Sequence, residues 1–414
     1  MDLIIRNAQL LDQPAGTLRD VGIQGGKIVA IEPSLTADAQ NFDAGGRLAC
    51  AGLIETHIHL DKGRLNDVLP PEIPEAGGRK IAPVPYARKF KPQITEEDVY
   101  RRAEQTLRQC LIHGTTRVRS HVEVDPWMEL RGFNAVASLV DAYKWAVDLE
   151  LCVFPQDGLT NLPGTDALLV QALKRGIAKT IGGAPRYDTD RHAQIRRIFA
   201  LAHEYDLNVD FHLDVGIDPG ELDVLLVCEL TDQYKLGGRV TCGHMTKLSA
   251  MSQADLVPVA RRLADAGVNI TVLTATELYL MGRDTDHNVP RGVADLHFLT
   301  QHGVTCSVSS NNVLNPATPL GDCSLIRMAS MHANIAQRGL PEELRECFAM
   351  VTERSAKILC ATDYGIKVGN PADVAVIDAR TPEQAIAEIC RPVAVFKRGR
   401  RTVTWHPPEL SKPQ

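Results

Sequence analysis

The 414-residue chain is predicted to be an α/β protein, a (β/α)8 (TIM) barrel joined to a small discontinuous β-sandwich made from both chain ends. Three observations lead there. Short apolar runs alternate with amphipathic helical stretches through the middle of the chain. Both termini carry a different grammar of short strands and glycine turns. Histidines recur at the ends of the runs, where a barrel gathers its chemistry.

The eight strand candidates are, in order, Leu53 to Leu60, Thr115 to Val124, Leu151 to Gln156, Thr180 to Pro185, Asn208 to Asp214, Arg239 to His244, Asn269 to Thr274 and Thr305 to Ser309. Each is nearly continuous in apolar residues, as strands buried on both faces must be. Helical stretches between them include Glu96 to His113, Met128 to Leu149, Asp166 to Gly176, Asp190 to Tyr205 and Ala254 to Gly267. A doubly wound open sheet is the competing architecture, but no Gly-x-Gly-x-x-Gly follows an early strand. At the N-terminal end, Leu3-Ile4-Ile5, Val21-Gly22-Ile23 and Lys27 to Ile31 read as short strands, with turns at Gly25-Gly26 and Gly45-Gly46. Gly365 to Gly369, Ala372 to Asp378 and Val393 to Gly399 repeat that pattern at the other end. The expected organisation is therefore a barrel over 51–360, a sandwich from 1–50 and 361–405, and a tail over 406–414. The connection from Asp61 to Lys91 is rich in proline and glycine, and a loop of that length at the active face is expected to be a lid or binding loop.

The net charge of -6 provides no basic field for nucleic acid, and no Lys/Arg cluster alternates with aromatics. No apolar run approaches the length of a membrane span. The first residues read as a strand rather than a leader. Ten cysteines lie scattered without a Cys-x-x-Cys pair, several inside strands, which suits free thiols in the cytoplasm. A small-molecule partner is the expectation that remains, and association into a homo-oligomer is compatible with a barrel of this type.

Glu55-Thr56-His57-Ile58-His59-Leu60-Asp61-Lys62 places two imidazoles two residues apart, on one side of a strand. A lone His-x-His is a weak signal. His212 and His244 also stand at the ends of apolar runs, and four histidines converging at strand ends form a specific, metal-binding pattern. The same strand ends bring His121 and Glu123, Gln156 and Asp157, Arg186, Asp214 and Asn311 toward one face. His113, His192, His203, His297, His302, His332 and His406 read as helix or surface residues.

With these motifs the chain resembles the amidohydrolase superfamily over nearly its whole length. Within it, the resemblance is to the cytosine deaminase-like branch that includes the N-isopropylammelide amidohydrolases. It rests on the His57/His59 segment, Arg119 to Val124, Phe154 to Gly158, His212, His244, Pro319-Leu320-Gly321 and Asn370 to Val374, all in family order. The resemblance implies one divalent ion, zinc or iron, held by His57, His59 and His212, with His244 as a further ligand or a water-orienting residue. Such an ion brings the pKa of water from 15.7 to about 7. Members with two metals bridge them by a modified lysine at the end of strand four; Gly182-Gly183-Ala184-Pro185 stands there, which points to one metal.

Two positions depart from the family. Its metal-binding Asp is Asn311, a neutral amide that cannot accept a proton at pH 7, and its catalytic Glu is Val215. Asp214 or His244 is therefore expected to take the water's proton, while Asn311 orients the water or a substrate carbonyl. Gln156 aligns with the family's glutamine that reads the amide edge of a ring. Lys62 could neutralise a ligand's charge or pair with Asp61, and Arg186 could bind a carboxylate or carbonyl or pair with Asp188 and Asp190. Arg283 and Asp284 lie in a loop that could close over the substrate. The resulting expectation is a metal-dependent amidohydrolase that cleaves a C–N bond of a small nitrogenous heterocycle by deamination, dealkylamination or amide hydrolysis. The alternative, from a different class, is a non-catalytic or metal-free ligand-binding paralogue.

Overall fold

The structure is a computed structural model that describes residues 1–71, 81–406 and 408–411. Eight parallel strands form its central sheet: Leu53–Ile58, Thr115–Glu123, Asp148–Phe154, Thr180–Ile181, Asn208–Leu213, Val240–His244, Val268–Val272 and Cys306–Val308. They neighbour one another in sequence order, the arrangement that right-handed β-α-β crossovers generate. The cylinder closes where Ile58 pairs with Asn311. There the His59 amide donates to the Asn311 carbonyl and the Asn311 amide to the His57 carbonyl, both at 2.9 Å. Closure thus places three predicted site residues side by side.

Residues of both strand faces are buried, which explains the unbroken apolar runs; Phe211 and Phe199 are fully buried between sheet and helices, while Phe154 is buried inside the barrel against His212. Several expected boundaries differ, most at the third and fourth strands. The third strand begins at Asp148, and the preceding helix is Arg131–Tyr143 rather than reaching Leu149. Alternation in Asp148-Leu149-Glu150-Leu151 turns the two acids away from the helices, onto the strand face that points into the barrel; Lys397 donates to Asp148 at 2.7 Å and Arg119 to Glu150 at 2.6 Å. The fourth strand is only Thr180–Ile181. At Gly182 a Cβ would stand 2.1 Å from the Asp210 carbonyl oxygen, so neighbouring backbone passes where a side chain would be.

The chain ends meet in a second, mixed sheet. Leu48–Ala51 pairs antiparallel with Val374–Ile377, so the N-terminal strands continue directly into Pro392–Lys397 and Arg400–Thr404. This sheet encloses its own apolar cluster, and Phe42 meets Phe396 edge-on at 5.3 Å. The expected strand Gly365 to Gly369 is instead a run of turns. Buried Lys397 ties the sheet to the barrel, donating to Asp373 at 2.7 Å on its own sheet and to the Thr116 carbonyl at 3.1 Å on the second barrel strand. Among the described residues no helix is long and apolar enough to cross a membrane, and all ten cysteines are free.

Candidate active site

At the C-terminal ends of the strands, Nε2 of His212 lies 3.1 Å from Nε2 of His57 and 2.9 Å from Nε2 of His59. All three rings are buried. Burial is the main force on their protonation. It pushes His57 down to about 4, and His59 and His212 well below the usual histidine range, so all three are neutral at pH 7. Nitrogens bound to one zinc at about 2.0–2.1 Å stand roughly 3.3 Å apart, close to the separations found. Asn311, backbone-bonded to both His57 and His59, is fully buried with neither amide atom partnered. Two imidazole nitrogens each within about 3 Å of a third, in a cluster that includes an orphaned amide, fit a divalent cation.

A carboxylate absent from the sequence reading supports this cluster. Asp210, fully buried, lies 3.3 Å from Nδ1 of His57 and 3.4 Å from Nε2 of His121, and Arg119 donates to its other oxygen at 3.1 Å. Burial works against its charge, yet His121 and His57 hold its carboxyl far below the usual range. Carboxylates in this position orient metal-ligating imidazoles and raise their basicity. The clue was present: Asp210 precedes His212 by two residues, so it shares that histidine's strand face. His121 stacks on His57 with ring centroids 3.6 Å apart, and its ring nitrogens share a 4.8 Å neighbourhood with those of His57 and His212. Because Nε2 of His121 faces Asp210, we read it as supporting His57. Gly243 permits the close packing, since a Cβ there would stand 2.9 Å from the His57 ring.

A cavity with about 740 Å³ of empty space opens above the cluster. His59, His212 and His244 form its floor, and Lys62, Gln156, Arg186, Val215, Thr276 and Asn312 are among its walls. Pro83, Val84, Ala87 and Lys91, from the long connection after the first barrel strand, also line it. Residues 72–80 of that connection lie outside the described residues. His244 is buried, with Nδ1 3.8 Å from the carboxyl of Glu277, another group missing from the sequence reading. Burial raises Glu277 well above the usual carboxylate range and lowers His244 well below the usual histidine range.

Asp214 requires a correction, because its carboxylate does not face the cavity. One oxygen accepts from the Asp223 amide and the other from the Val224 amide, both at 3.0 Å, at the start of helix Val224–Tyr234. A left-handed backbone at Asp214 (φ 46°) turns the chain away from the strand direction. Burial lifts this carboxyl to about 6. Lys62 did not pair with Asp61: its ammonium donates to Oε1 of Gln156 at 2.7 Å and lies 3.0 Å from Glu123. Asp61 instead accepts from the Glu123 amide at 2.9 Å. Lys91 sits among Glu123, Asp125 and Asp157, with Asp125 at 2.7 Å, so the protein's own ammonium fills that acidic cluster. Arg283 donates to the Tyr279 carbonyl at 2.8 Å and does not line this cavity.

The Amidohydrolase family model matches residues 78–403. The chain belongs to that family and is a hydrolase of carbon–nitrogen bonds other than peptide bonds. It is 25% identical over 407 residues to N-isopropylammelide isopropyl amidohydrolase of Pseudomonas sp. (strain ADP), covering 96% of each chain. It is 25% identical over 389 residues to pterin deaminase of Rhizobium rhizogenes, covering 92% of this chain and 87% of that one. Among solved structures, 5-methylcytosine deaminase from Klebsiella pneumoniae liganded with 5-fluorocytosine matches with a TM-score of 0.91 at 27% identity, over 99% of both chains. N-isopropylammelide isopropylaminohydrolase from Burkholderia multivorans matches at 0.84 and 26% identity, over 97% of this chain and 98% of that one. These relatives are named as enzymes, so the ligand-binding alternative finds no support among them.

Proposed function

We propose that the protein is a mononuclear metal-dependent amidohydrolase that cleaves a C–N bond of a small nitrogenous heterocycle. The observation that carries this reading is the close approach of the neutral His57 and His59 Nε2 atoms to Nε2 of His212, at the floor that His59 and His212 give the cavity. His57, His59 and His212 would hold one zinc or iron ion, with Asn311 beside them. When bound, such an ion supplies Lewis acidity, polarising the substrate and acidifying water. A glycine pair, Gly182-Gly183, stands where a bridging lysine would be needed for a second ion.

The chain's own groups then divide the remaining work. His244 is neutral at pH 7, and with Nδ1 toward Glu277 its Nε2 is the nitrogen left to accept the proton of the attacking water. Asn311 has a free amide with which to orient that water or a carbonyl. Gln156 gives its carbonyl oxygen to Lys62, which leaves its NH2 group to donate to an acceptor on the ring. Val215 presents hydrocarbon to the cavity. Asp214 fixes the loop that follows the fifth strand rather than moving a proton.

The test is a panel of aminopyrimidines, aminotriazines and cyclic imides, incubated with zinc- or iron-loaded enzyme and followed by amine release or ring opening. Turnover of at least one compound is expected, with loss of more than 100-fold in His57→Ala and His212→Ala. Turnover that survives both substitutions contradicts the assignment.

A further inference from the structure

Arg186 differs from the other charged groups around the cavity because no described carboxylate pairs with it. It lies just beyond the fourth strand in the short turn Pro185–Tyr187, lines the cavity and is exposed. The acids that follow it in sequence are committed elsewhere. Asp188 accepts from the Leu159 amide at 2.7 Å, the Thr160 amide at 3.0 Å and the Gln194 side chain at 2.8 Å. Asp190 caps helix Arg191–Glu204 through the Ala193 amide at 2.9 Å. Arg186 makes no ion pair with a described residue, and the recorded neighbour of its guanidinium is the Tyr187 ring, with the centroid at 5.2 Å.

The other cations at this mouth are balanced. Lys62, Arg88 and Lys91 interlock with Glu123, Asp125 and Asp157, three cations with three carboxylates. Deeper in the site, Asp210 is bound by Arg119, and Asp214 and Glu277 accept from backbone amides. Asn311 and Val215, at the ends of the eighth and fifth strands, are both uncharged. Among the described residues, the cavity therefore carries one uncompensated guanidinium and no free carboxylate to repel an anion.

We propose that the substrate is a heterocycle bearing a carboxylate, and that Arg186 receives that carboxylate. This rests on the hydrolytic reading above for the identity of the site, and goes beyond it in naming the charge and the group recognised. A guanidinium is a planar fork of N–H donors that matches the two oxygens of a carboxylate, and its charge is not lost at any working pH. The Tyr187 ring beside it limits its freedom, which lowers the entropy lost on binding.

Calorimetry with the metal-loaded enzyme tests this using matched probes that differ by a carboxylate: uracil against orotate, and hydantoin against hydantoin-5-acetate. At least one carboxylated probe is expected to bind tenfold or more tightly than its neutral parent. Arg186→Gln is expected to bring that ratio close to one, and Arg186→Lys to keep part of it. Arg186 is exposed on a turn, so these variants should fold, which metal content and thermal unfolding verify. The absence of preference in both pairs overturns the proposal, as does a preference that survives Arg186→Gln. Because the readout is binding, a carboxylate preference without any turnover would remove the hydrolytic reading while retaining this one. Turnover of neutral compounds without the preference would do the reverse.

Discussion

At the scale of single residues, the site depends on where polar atoms find partners. Asp210 and Asp214 are close in sequence and both buried, yet their tasks differ. Asp210 lies between His57, His121 and Arg119. Asp214 closes a loop by accepting two backbone amides. Asp214→Asn keeps one acceptor oxygen and loses the other, so a loss of about 1 kcal/mol in stability is expected, comparable to removing a helix cap, with turnover within about twofold of the parent. Denaturant unfolding and steady-state kinetics check this. A tenfold fall in turnover at unchanged stability would return Asp214 to proton transfer. The sequence made the histidines legible because strand periodicity and motif order place them without further information. It did not reveal that Asp214 turns aside, since its left-handed backbone and the distant amides of Asp223 and Val224 are products of the loop's fold. Glu277 was equally hidden: it approaches His244 from a helix after the seventh strand, and no spacing links the two.

At the scale of elements, strand order and helix faces were readable because burial on both sides leaves a continuous apolar signature. The ends were less so. Asp148 fell inside the expected helix and Glu150 between the two elements, whereas both belong to the third strand and pair with Lys397 and Arg119 across the fold. The helices after the last barrel strand also had weak sequence signatures, and one of them buries a histidine. His332, on Leu325–Ala336, is fully buried with neither ring nitrogen partnered, and its ring lies parallel to that of His297 with centroids 5.9 Å apart. Burial, followed by the neighbouring His297, pushes His332 down to about 3 from 6.5. As pH falls below 6.5, the unfolded chain takes up a proton that the folded chain refuses. Stability therefore drops by about 1.4 kcal/mol per pH unit until about pH 3. Between pH 7 and 5, His332→Gln is expected to lose roughly 2 kcal/mol less stability than the parent. Denaturant midpoints at the two pH values measure the difference, and equal losses would exclude His332 as a source of acid sensitivity.

At the scale of the whole molecule, the two sheets are joined by a buried ionic link, and the barrel is closed by residues of the candidate site. Lys397 bridges Asp373, Asp148 and Thr116, while His57, His59 and Asn311 exchange backbone hydrogen bonds across the first and eighth strands. Closing the barrel thus also brings together His57, His59 and Asn311, the residues proposed to surround the ion. The most direct measurement is metal content per chain, by elemental analysis of protein purified without a histidine tag and then incubated with zinc or iron. The parent should hold close to one ion per chain, and His212→Ala should hold little. A folded parent that retains no ion after incubation with either metal would contradict the assignment of His57, His59 and His212 as a metal centre.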